Sequence, residues 1–317
     1  MKSFENFLKE IKPEPLVPDD IREEYIMSWY DDLMEKLITV GGKAYPKFGN
    51  VVILAGGAGS GKGFVKDNLL GVEGKVFDVD ALKTLAGKAP IIRQRVKKEM
   101  GVDLEDLSAN LKDPENVSKL HGIIGDTLQL DKRNLMAFYK SVFTAAPDRK
   151  PNIIFDNTLK DLQKLQNLTR QVSQLGYAKE NIHIVWVVND IEVAKVQNQT
   201  RTRTVPVEIL ISTHRGASQT MNDIVNMGKG LKKYMDGDIV FAFNKFNVDT
   251  ELAKNPDGAG KKIGMKGDTK GGQYLVDADY VYVKRKGKPP MSSKELSADL
   301  KRKVQSYVPK SVDWIGD

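Results

Sequence analysis

The sequence contains no cysteine, and only three of its 317 residues are histidine. The lack of cysteine excludes disulfide scaffolds, thiolate zinc sites, iron–sulfur clusters and cysteine nucleophiles. With only His121, His183 and His214 available, a histidine-rich metal centre is not expected either. Low-complexity tracts are also missing, and a composition of 40% hydrophobic and 29% charged residues is that of a globular protein.

Long apolar runs are missing as well. The longest, Val51–Ala55 and Ile184–Val188, fall far short of the ~20 residues that a membrane helix needs. The N-terminal segment carries acidic residues and lacks the continuous apolar stretch of a signal peptide. We therefore expect a cytoplasmic protein with no membrane contact, and its oligomeric state stays open.

Positive charge is concentrated in the last third of the chain. The formal net charge is +7, and residues 225–317 hold 18 Lys and Arg against 12 Asp and Glu. Basic surfaces attract phosphate-bearing partners. A lysine-rich surface that serves only solubility is the alternative.

Short apolar runs alternate with segments of helical periodicity. The runs are Val51–Ala55, 75–79, 152–155, Ile182–Val188 and Ile239–Phe243. Such continuous runs are typical of strands buried on both faces of a parallel sheet, with helices as crossovers. The sequence therefore predicts an α/β fold of the P-loop NTPase type, in which helices flank a parallel sheet.

Four regions surround or interrupt this predicted core, which spans residues 47–250. Residues 1–46 are predicted to be a helical leader, and 251–317 a basic C-terminal extension that contains a mobile glycine- and lysine-rich loop at 255–273, a strand at 280–283 and a helix at 292–308. Within the core, residues 80–151 are predicted to be a helical substrate-binding insertion, because the segment exceeds the usual crossover length. Its helices are expected at 89–100, 104–110, 116–128 and 134–145. Residues 198–222 are predicted to form a lid.

A glycine-rich loop follows the first predicted strand. The sequence from Gly56 to Lys62 fits G-x-x-x-x-G-K and precedes an amphipathic segment, which is the context that a phosphate-binding loop requires. In such a loop, backbone N–H groups and the helix N-terminus surround the phosphates, and the lysine adds a full charge. The predicted ATP-binding residues are Gly57, Ala58, Gly59, Ser60, Gly61, Lys62, Gly63 and Phe64.

The residue after Lys62 is Gly63, where most P-loops place the Ser or Thr that ligates magnesium. The sequence GGAGSGKG resembles the P-loop of adenylate kinases and other nucleoside monophosphate kinases. In those enzymes a threonine usually follows the glycine, and here Phe64 takes its place. Mg²⁺ is therefore expected to depend on ATP oxygens, water and carboxylates.

Carboxylates follow two of the other predicted strands. Asp78 and Asp80 lie at the end of the second strand, and alternation places them on the same side. Phosphorylation of an alcohol needs a group that orients the hydroxyl and takes its proton. Asp80 is the preferred base, with Asp78 as the alternative base or a substrate-binding group and Lys83 as a substrate-binding residue. Asp156 ends the third strand and is the predicted magnesium residue. Helix capping is the alternative role for both Asp80 and Asp156.

Arginines follow the fourth predicted strand and its helix. Arg201 and Arg203 lie in the segment TRTRTVP, with His214 and Arg215 further on. Arginines brought in by a lid stabilise the charge that spreads over a transferred phosphoryl group. Arg201 and Arg203 are the predicted catalytic arginines, Arg93 and Arg215 are predicted substrate-binding residues, and His214 is expected to be structural or substrate-positioning.

The region from about Asn50 to Asn222 combines the strand, the D-x-x-K motif at Asp80 to Lys83, the long helical insertion and the late R-x-R-x-V-P segment. This combination resembles the zeta-toxin and polynucleotide-kinase branch of P-loop kinases. The resemblance implies transfer of the γ-phosphate of ATP to a hydroxyl of a nucleotide sugar or a nucleic acid. It also implies that Asp80 is the base and that Arg201 and Arg203 close over ATP.

We therefore expect an ATP- and Mg²⁺-dependent kinase whose acceptor is a nucleic acid, for example a modified base in DNA, or a nucleotide. Tyr274, Tyr280 and Tyr282 among lysines favour nucleic acid. A kinase of a nucleotide sugar or another small molecule is the first alternative. An NTP-hydrolysing switch and a nucleic-acid-binding protein with a degenerate P-loop are the others.

Overall fold

The computed structural model describes residues 38–42, 46–78, 86–200, 204–244, 250–254, 261–263, 273–291 and 295–315. The predicted helices before residue 38 lie outside these ranges. So do four predicted site residues, Asp80, Lys83, Arg201 and Arg203. Their roles stay predictions.

A mostly parallel sheet forms the centre of the protein, as predicted. Five parallel strands lie in the spatial order β2-β3-β1-β4-β5. They are β1 (Val51–Ala55), β2 (Lys75–Asp78), β3 (Ile153–Asp156), β4 (Ile182–Val188) and β5 (Ile239–Phe243). Every residue of β1, β4 and β5 is buried, which explains their unbroken apolar sequences.

The sheet continues into the predicted C-terminal extension. Strand β8 (Gln273–Lys284) pairs antiparallel with β5, and its first half also pairs with β6 (Thr250–Lys254) and β7 (Lys261–Ile263). The strand predicted at 280–283 is therefore much longer. Within the predicted mobile loop at 255–273, residues 261–263 form β7, and most of the rest of that range lies outside the described residues, so its mobility stays a prediction.

Helices occupy the connections between the strands. They are α1 (Lys62–Phe64, continued by a π-helical turn at Val65–Leu69), α2 (Pro90–Met100), α3 (Leu104–Ala109), α4 (Pro114–His121, continued by a π-helical turn at Gly122–Thr127), α5 (Leu130–Val142), α6 (Leu162–Gln174), α7 (Ile191–Thr200), α8 (Val207–Asn226) and α9 (Ala298–Tyr307). Short 3-10 turns lie at Pro147–Arg149, Lys179–Asn181 and Gly228–Lys233. No helix of the described residues is long and apolar enough to cross a membrane.

Apolar side chains form separate clusters on the two faces of the sheet and within the insertion. One face packs against α6, α8 and α9, and the other against the turn that follows the glycine-rich loop. The predicted helical insertion is confirmed as α2 to α5. It has a small core of its own, built from residues such as Val96, Leu104 and Leu120. The division of the chain into domains stays a prediction.

Trp314 packs deep in the core although it lies three residues from the chain's last residue. Its ring stacks on Trp186 with centroids 5.4 Å apart, and it meets Phe241 edge-on at 5.7 Å. Its Nε1 donates a hydrogen bond of 2.8 Å to Ser218 Oγ on α8. The tail of the chain therefore holds α8 against β4 and β5.

We expect Trp314→Ala to lower the free energy of unfolding by about 3–5 kcal/mol, because it empties a buried aromatic site and leaves Ser218 without its partner. Urea denaturation measures the change. The neighbouring Ile315 is half exposed, so Ile315→Ala is the matched control and should change stability by less than about 0.5 kcal/mol. Equal effects of the two substitutions would contradict this packing.

Candidate active site

The glycine-rich loop joins β1 to α1 at the carboxyl edge of the sheet, as its motif predicts. Two of its glycines have left-handed backbone conformations, with φ +74° at Gly59 and +91° at Gly61. A side chain at Gly61 would also overlap the amide of Asn244. Both positions favour glycine for its backbone conformation, and Gly61 also requires it for space.

Five consecutive carbonyls of this loop, from Gly56 to Ser60, each accept a hydrogen bond from a side chain. Lys62 Nζ donates to Gly56 O at 3.0 Å and to Gly57 O at 3.1 Å. His214 Nε2 donates to Ala58 O at 2.9 Å, Asn189 Nδ2 to Gly59 O at 3.0 Å, and Asn244 Nδ2 to Ser60 O at 2.9 Å. We call this set of contacts the carbonyl clamp.

The two asparagines of the clamp were not predicted from the sequence. Asn189 directly follows β4, and Asn244 directly follows β5. Both strands lie on the same side of β1, so their carboxyl ends bring the two amides under the loop. The Asn244 N–H also donates to Val188 O at 2.8 Å, which continues the pairing of these strands. A polar residue directly after each apolar run is the only sequence signal for them.

Helix α8 supplies the other side of the clamp through Thr213 and His214. Thr213 Oγ1 accepts from the Ala58 N–H at 3.0 Å and donates to Leu210 O at 2.8 Å. The pKa of His214 is lowered to about 4, mainly by burial; the hydrogen bond to Ala58 O opposes this shift, and the nearby charge of Lys62 contributes to it. The imidazole is therefore neutral at pH 7, and its bond to a carbonyl requires the proton on Nε2.

Lys62 and Asp156 face each other at the sheet edge. Their closest atoms, Nζ and Oδ1, are 3.8 Å apart, with 12% and 20% of the two side chains exposed. Asp156 is the last residue of β3 and lies in register with Asp78, the last residue of β2. The structure thus brings Lys62, Asp156 and Asp78 to one edge, beside the loop.

The geometry fits a magnesium ion that is carried by phosphate. Phe64 packs its ring against the apolar cluster of the adjacent face, so it replaces a metal-binding hydroxyl with core packing. The described residues contain no group of three His, Asp or Glu that could hold a metal alone. Mg²⁺ commonly binds one or two carboxylates together with phosphate oxygens and water, and Asp156 and Asp78 are placed to supply them.

The residues around the predicted catalytic arginines are tied to both the core and the insertion. Asn198 is 4% exposed and forms two hydrogen bonds with the backbone of Val205, of 2.7 and 2.9 Å. The Thr204 N–H donates to Leu111 O at 3.0 Å, and its hydroxyl donates to Lys112 O. Both ends of the segment that contains Arg201 and Arg203 are therefore anchored, and its far end lies beside the insertion.

The other predicted substrate-binding residues lie apart from the clamp. Arg93 on α2 forms an ion pair with Glu105 on α3, within the insertion. Arg215 follows His214 on α8, and its side chain is exposed. No contact of the described residues joins either arginine to the loop. Their roles stay predictions.

The His214 ring fills the space that a side chain at Gly57 would need. We expect Gly57→Ala to lower the free energy of unfolding by about 1–3 kcal/mol, the usual cost of overpacking, and to weaken ATP binding at least tenfold because the clamp must shift. A methyl group at Gly63 would meet no heavy atom within 4 Å, so Gly63→Ala is the control for stability. Thermal unfolding and ATP titration measure both effects. Equal stability of the two variants would contradict the clamp.

Comparison with known proteins adds little to this geometry. No protein-family model matches the chain, and no curated protein matches it. Among solved structures, a chain from the PezAT chromosomal toxin–antitoxin system of Streptococcus pneumoniae aligns with a TM-score of 0.35 and 13% identity, over 71% of this chain and 76% of that chain. The functional assignment of this chain therefore depends on its own loop and on the residues around it.

Proposed function

We propose that the chain is an ATP-dependent kinase that transfers the γ-phosphate of Mg²⁺·ATP to a hydroxyl of a nucleic acid or nucleotide. The carbonyl clamp is the observation that supports this most. It fixes the shape of the loop by holding the carbonyls of Gly56 to Ser60 on side-chain donors. The N–H groups of Gly56, Ala58 and Ser60 already donate to Thr158 O, Thr213 Oγ1 and Gly57 O, so an anion would be bound by N–H groups of the other loop residues. Backbone N–H groups next to a helix N-terminus are the standard protein site for phosphate.

Lys62 is the one donor of the clamp that we expect to leave it. Its ammonium rests on two neutral carbonyls, at 3.0 and 3.1 Å, and phosphate oxygens offer stronger, charge-assisted hydrogen bonds. When ATP binds, Lys62 would move to the β- and γ-phosphates. The asparagines and His214 belong to other elements, so they would keep the loop in place during this exchange.

Bound magnesium would neutralise charge on the β- and γ-phosphate oxygens. Asp156 and Asp78 would hold it through their carboxylates, directly or through water. The separation of Asp156 from Lys62, 3.8 Å, is short enough for the carboxylate to keep the ammonium aligned in the absence of nucleotide.

The acceptor hydroxyl would be oriented by a carboxylate at the end of β2. Asp80 is the proposed base, and Asp78 is the alternative because β2 ends at this residue beside Asp156. Arg201 and Arg203 would stabilise the charge of the transferred phosphoryl group. The described residues on either side of these arginines are hydrogen-bonded, Asn198 to Val205 and Thr204 to Lys112.

The structure changes the argument for a nucleic-acid acceptor. The guanidinium of Arg285 lies 3.4 Å from the centre of the Tyr282 ring, and the Tyr282 hydroxyl accepts from the Thr39 N–H at 3.0 Å. Tyr280 and Tyr282 also pack against a buried cluster. Tyr282 is therefore engaged within the protein at its ring and its hydroxyl, which weakens the argument that it favours a nucleic acid, and the side chain of Tyr274 lies outside the described part. Support for a nucleic-acid acceptor therefore comes from the positive charge in the last third of the chain.

The proposal is tested by transfer of label from γ-labelled ATP to single-stranded and duplex DNA, RNA, nucleotides and sugar nucleotides. We expect labelled product with one acceptor class. Lys62→Ala should lower the rate by several orders of magnitude in a folded protein. Asp80→Asn should keep ATP affinity and lower the rate at least ~10²-fold.

Asp78→Asn separates the roles of the two carboxylates. If Asp78 holds magnesium, its substitution should weaken Mg²⁺-dependent ATP binding, whereas a base would affect only transfer. Near-normal transfer by folded Lys62→Ala would contradict the ATP site. Hydrolysis of ATP that needs no acceptor would favour an NTP-driven switch over a kinase.

A further inference from the structure

Three segments bring basic side chains together at the amino edge of the sheet, the edge opposite the glycine-rich loop. They are residues 179–181 before β4, 228–238 before β5 and 284–288 at the end of β8, and we call them the basic edge surface. The Asp236 N–H donates to Lys179 O at 2.7 Å, and the Gly287 N–H donates to Asp236 O at 2.9 Å. Lys179 Nζ donates to Lys233 O at 2.8 Å. The segments are therefore direct neighbours.

The exposed side chains of this surface are almost all cations. The exposed acidic residue among them is Glu180, because Asp236 and Asp238 are buried. The exposed basic residues are Lys179, Lys229, Lys232, Lys233, Arg285, Lys286 and Lys288. Lys232 Nζ lies 3.4 Å from Asp236 Oδ2, so one of these charges is partly balanced. A surface on which positive charge is concentrated attracts polyanions.

Buried ionic contacts fix the turns that carry these cations. Lys284 Nζ lies 3.0 Å from Asp236 Oδ1, with 1% and 12% of the side chains exposed. Asp238 accepts from the Lys286 N–H at 2.7 Å, and its own N–H donates to His183 Nδ1 at 2.9 Å. Because a buried charge is costly without a partner, these contacts strongly favour one arrangement of the three segments.

We propose that the basic edge surface binds the phosphate backbone of a nucleic acid. Its segments expose no large hydrophobic side chain, whereas binding at a membrane surface usually combines basic with apolar residues. Contacts of Lys and Arg with phosphates position a nucleic acid without reading its sequence. That the bound strand is also the acceptor rests on the proposed kinase function.

The position of the surface sets a length requirement for such an acceptor. Strand β4 has seven residues, so its two ends are about 20 Å apart at ~3.3 Å per residue. A duplex that reaches from this surface to the loop needs at least about six base pairs, at ~3.4 Å each. A trinucleotide cannot contact both the basic edge surface and the loop. The surface should therefore contribute to binding only for longer acceptors.

The experiment measures binding of a labelled 30-mer, single-stranded and duplex, by fluorescence anisotropy over a range of salt concentrations. The surface variant carries Lys229→Gln, Lys232→Gln, Lys233→Gln and Lys288→Gln. The matched control carries Lys164→Gln, Arg170→Gln, Arg302→Gln and Lys310→Gln, which are exposed residues elsewhere and remove the same charge. Thermal unfolding checks that both variants fold.

We expect the surface variant to flatten the slope of log K against log salt by about 3, since four phosphate contacts contribute about 0.7–0.9 each. The control should keep the wild-type slope. In transfer assays, the surface variant should raise the KM for the 30-mer and leave the KM for a trinucleotide and for ATP unchanged.

Equal weakening by the two variants would overturn the proposal, because attraction would then follow net charge alone. The proposal would also be overturned if the wild-type protein bound neither DNA nor RNA at 50 mM salt, and this holds even if it binds phosphatidylserine vesicles. Failure of the kinase function has a different signature. Nucleic acid would then bind with the expected slope, and no label would be transferred to any acceptor.

Discussion

The hydrogen bonds to the loop carbonyls are the constraint on which the site depends. A loop of glycines has little conformational preference of its own, so its shape must come from what it contacts. Asn189, Asn244 and His214 fix three successive carbonyls from three different elements. The order of the strands places the two asparagines. The position of α8, to which Trp314 is bonded through Ser218, places His214.

This arrangement also explains why α8 is a core helix. It begins directly after the segment of the predicted arginines, and its second turn reaches the loop through Thr213 and His214. Two hydrogen bonds therefore join the loop directly to this helix. The neutral state of His214 matters here, since a second cation beside Lys62 would repel its ammonium and disturb its position.

Much of this architecture was predictable from the sequence, and the failures have physical reasons. The motif from Gly56 to Lys62 predicted the loop because its chemistry is local, and apolar runs predicted the five parallel strands. Asn189 and Asn244 were missed because their function depends on strand order, a long-range property that no local pattern encodes. The contacts of Tyr282 could not be predicted because composition cannot show that Thr39 and Arg285 occupy its hydroxyl and its ring.

The central claim is that the clamp prepares the loop for phosphate, so phosphate groups should supply most of the affinity for a nucleotide. Calorimetric titration of ATP, ADP and adenosine in the presence of Mg²⁺ tests this directly. We expect ATP and ADP to bind at least ~10²-fold more tightly than adenosine, since two charge-assisted hydrogen bonds contribute about 3 kcal/mol. Adenosine that binds as tightly as ATP, or a protein that binds none of the three, would contradict the account.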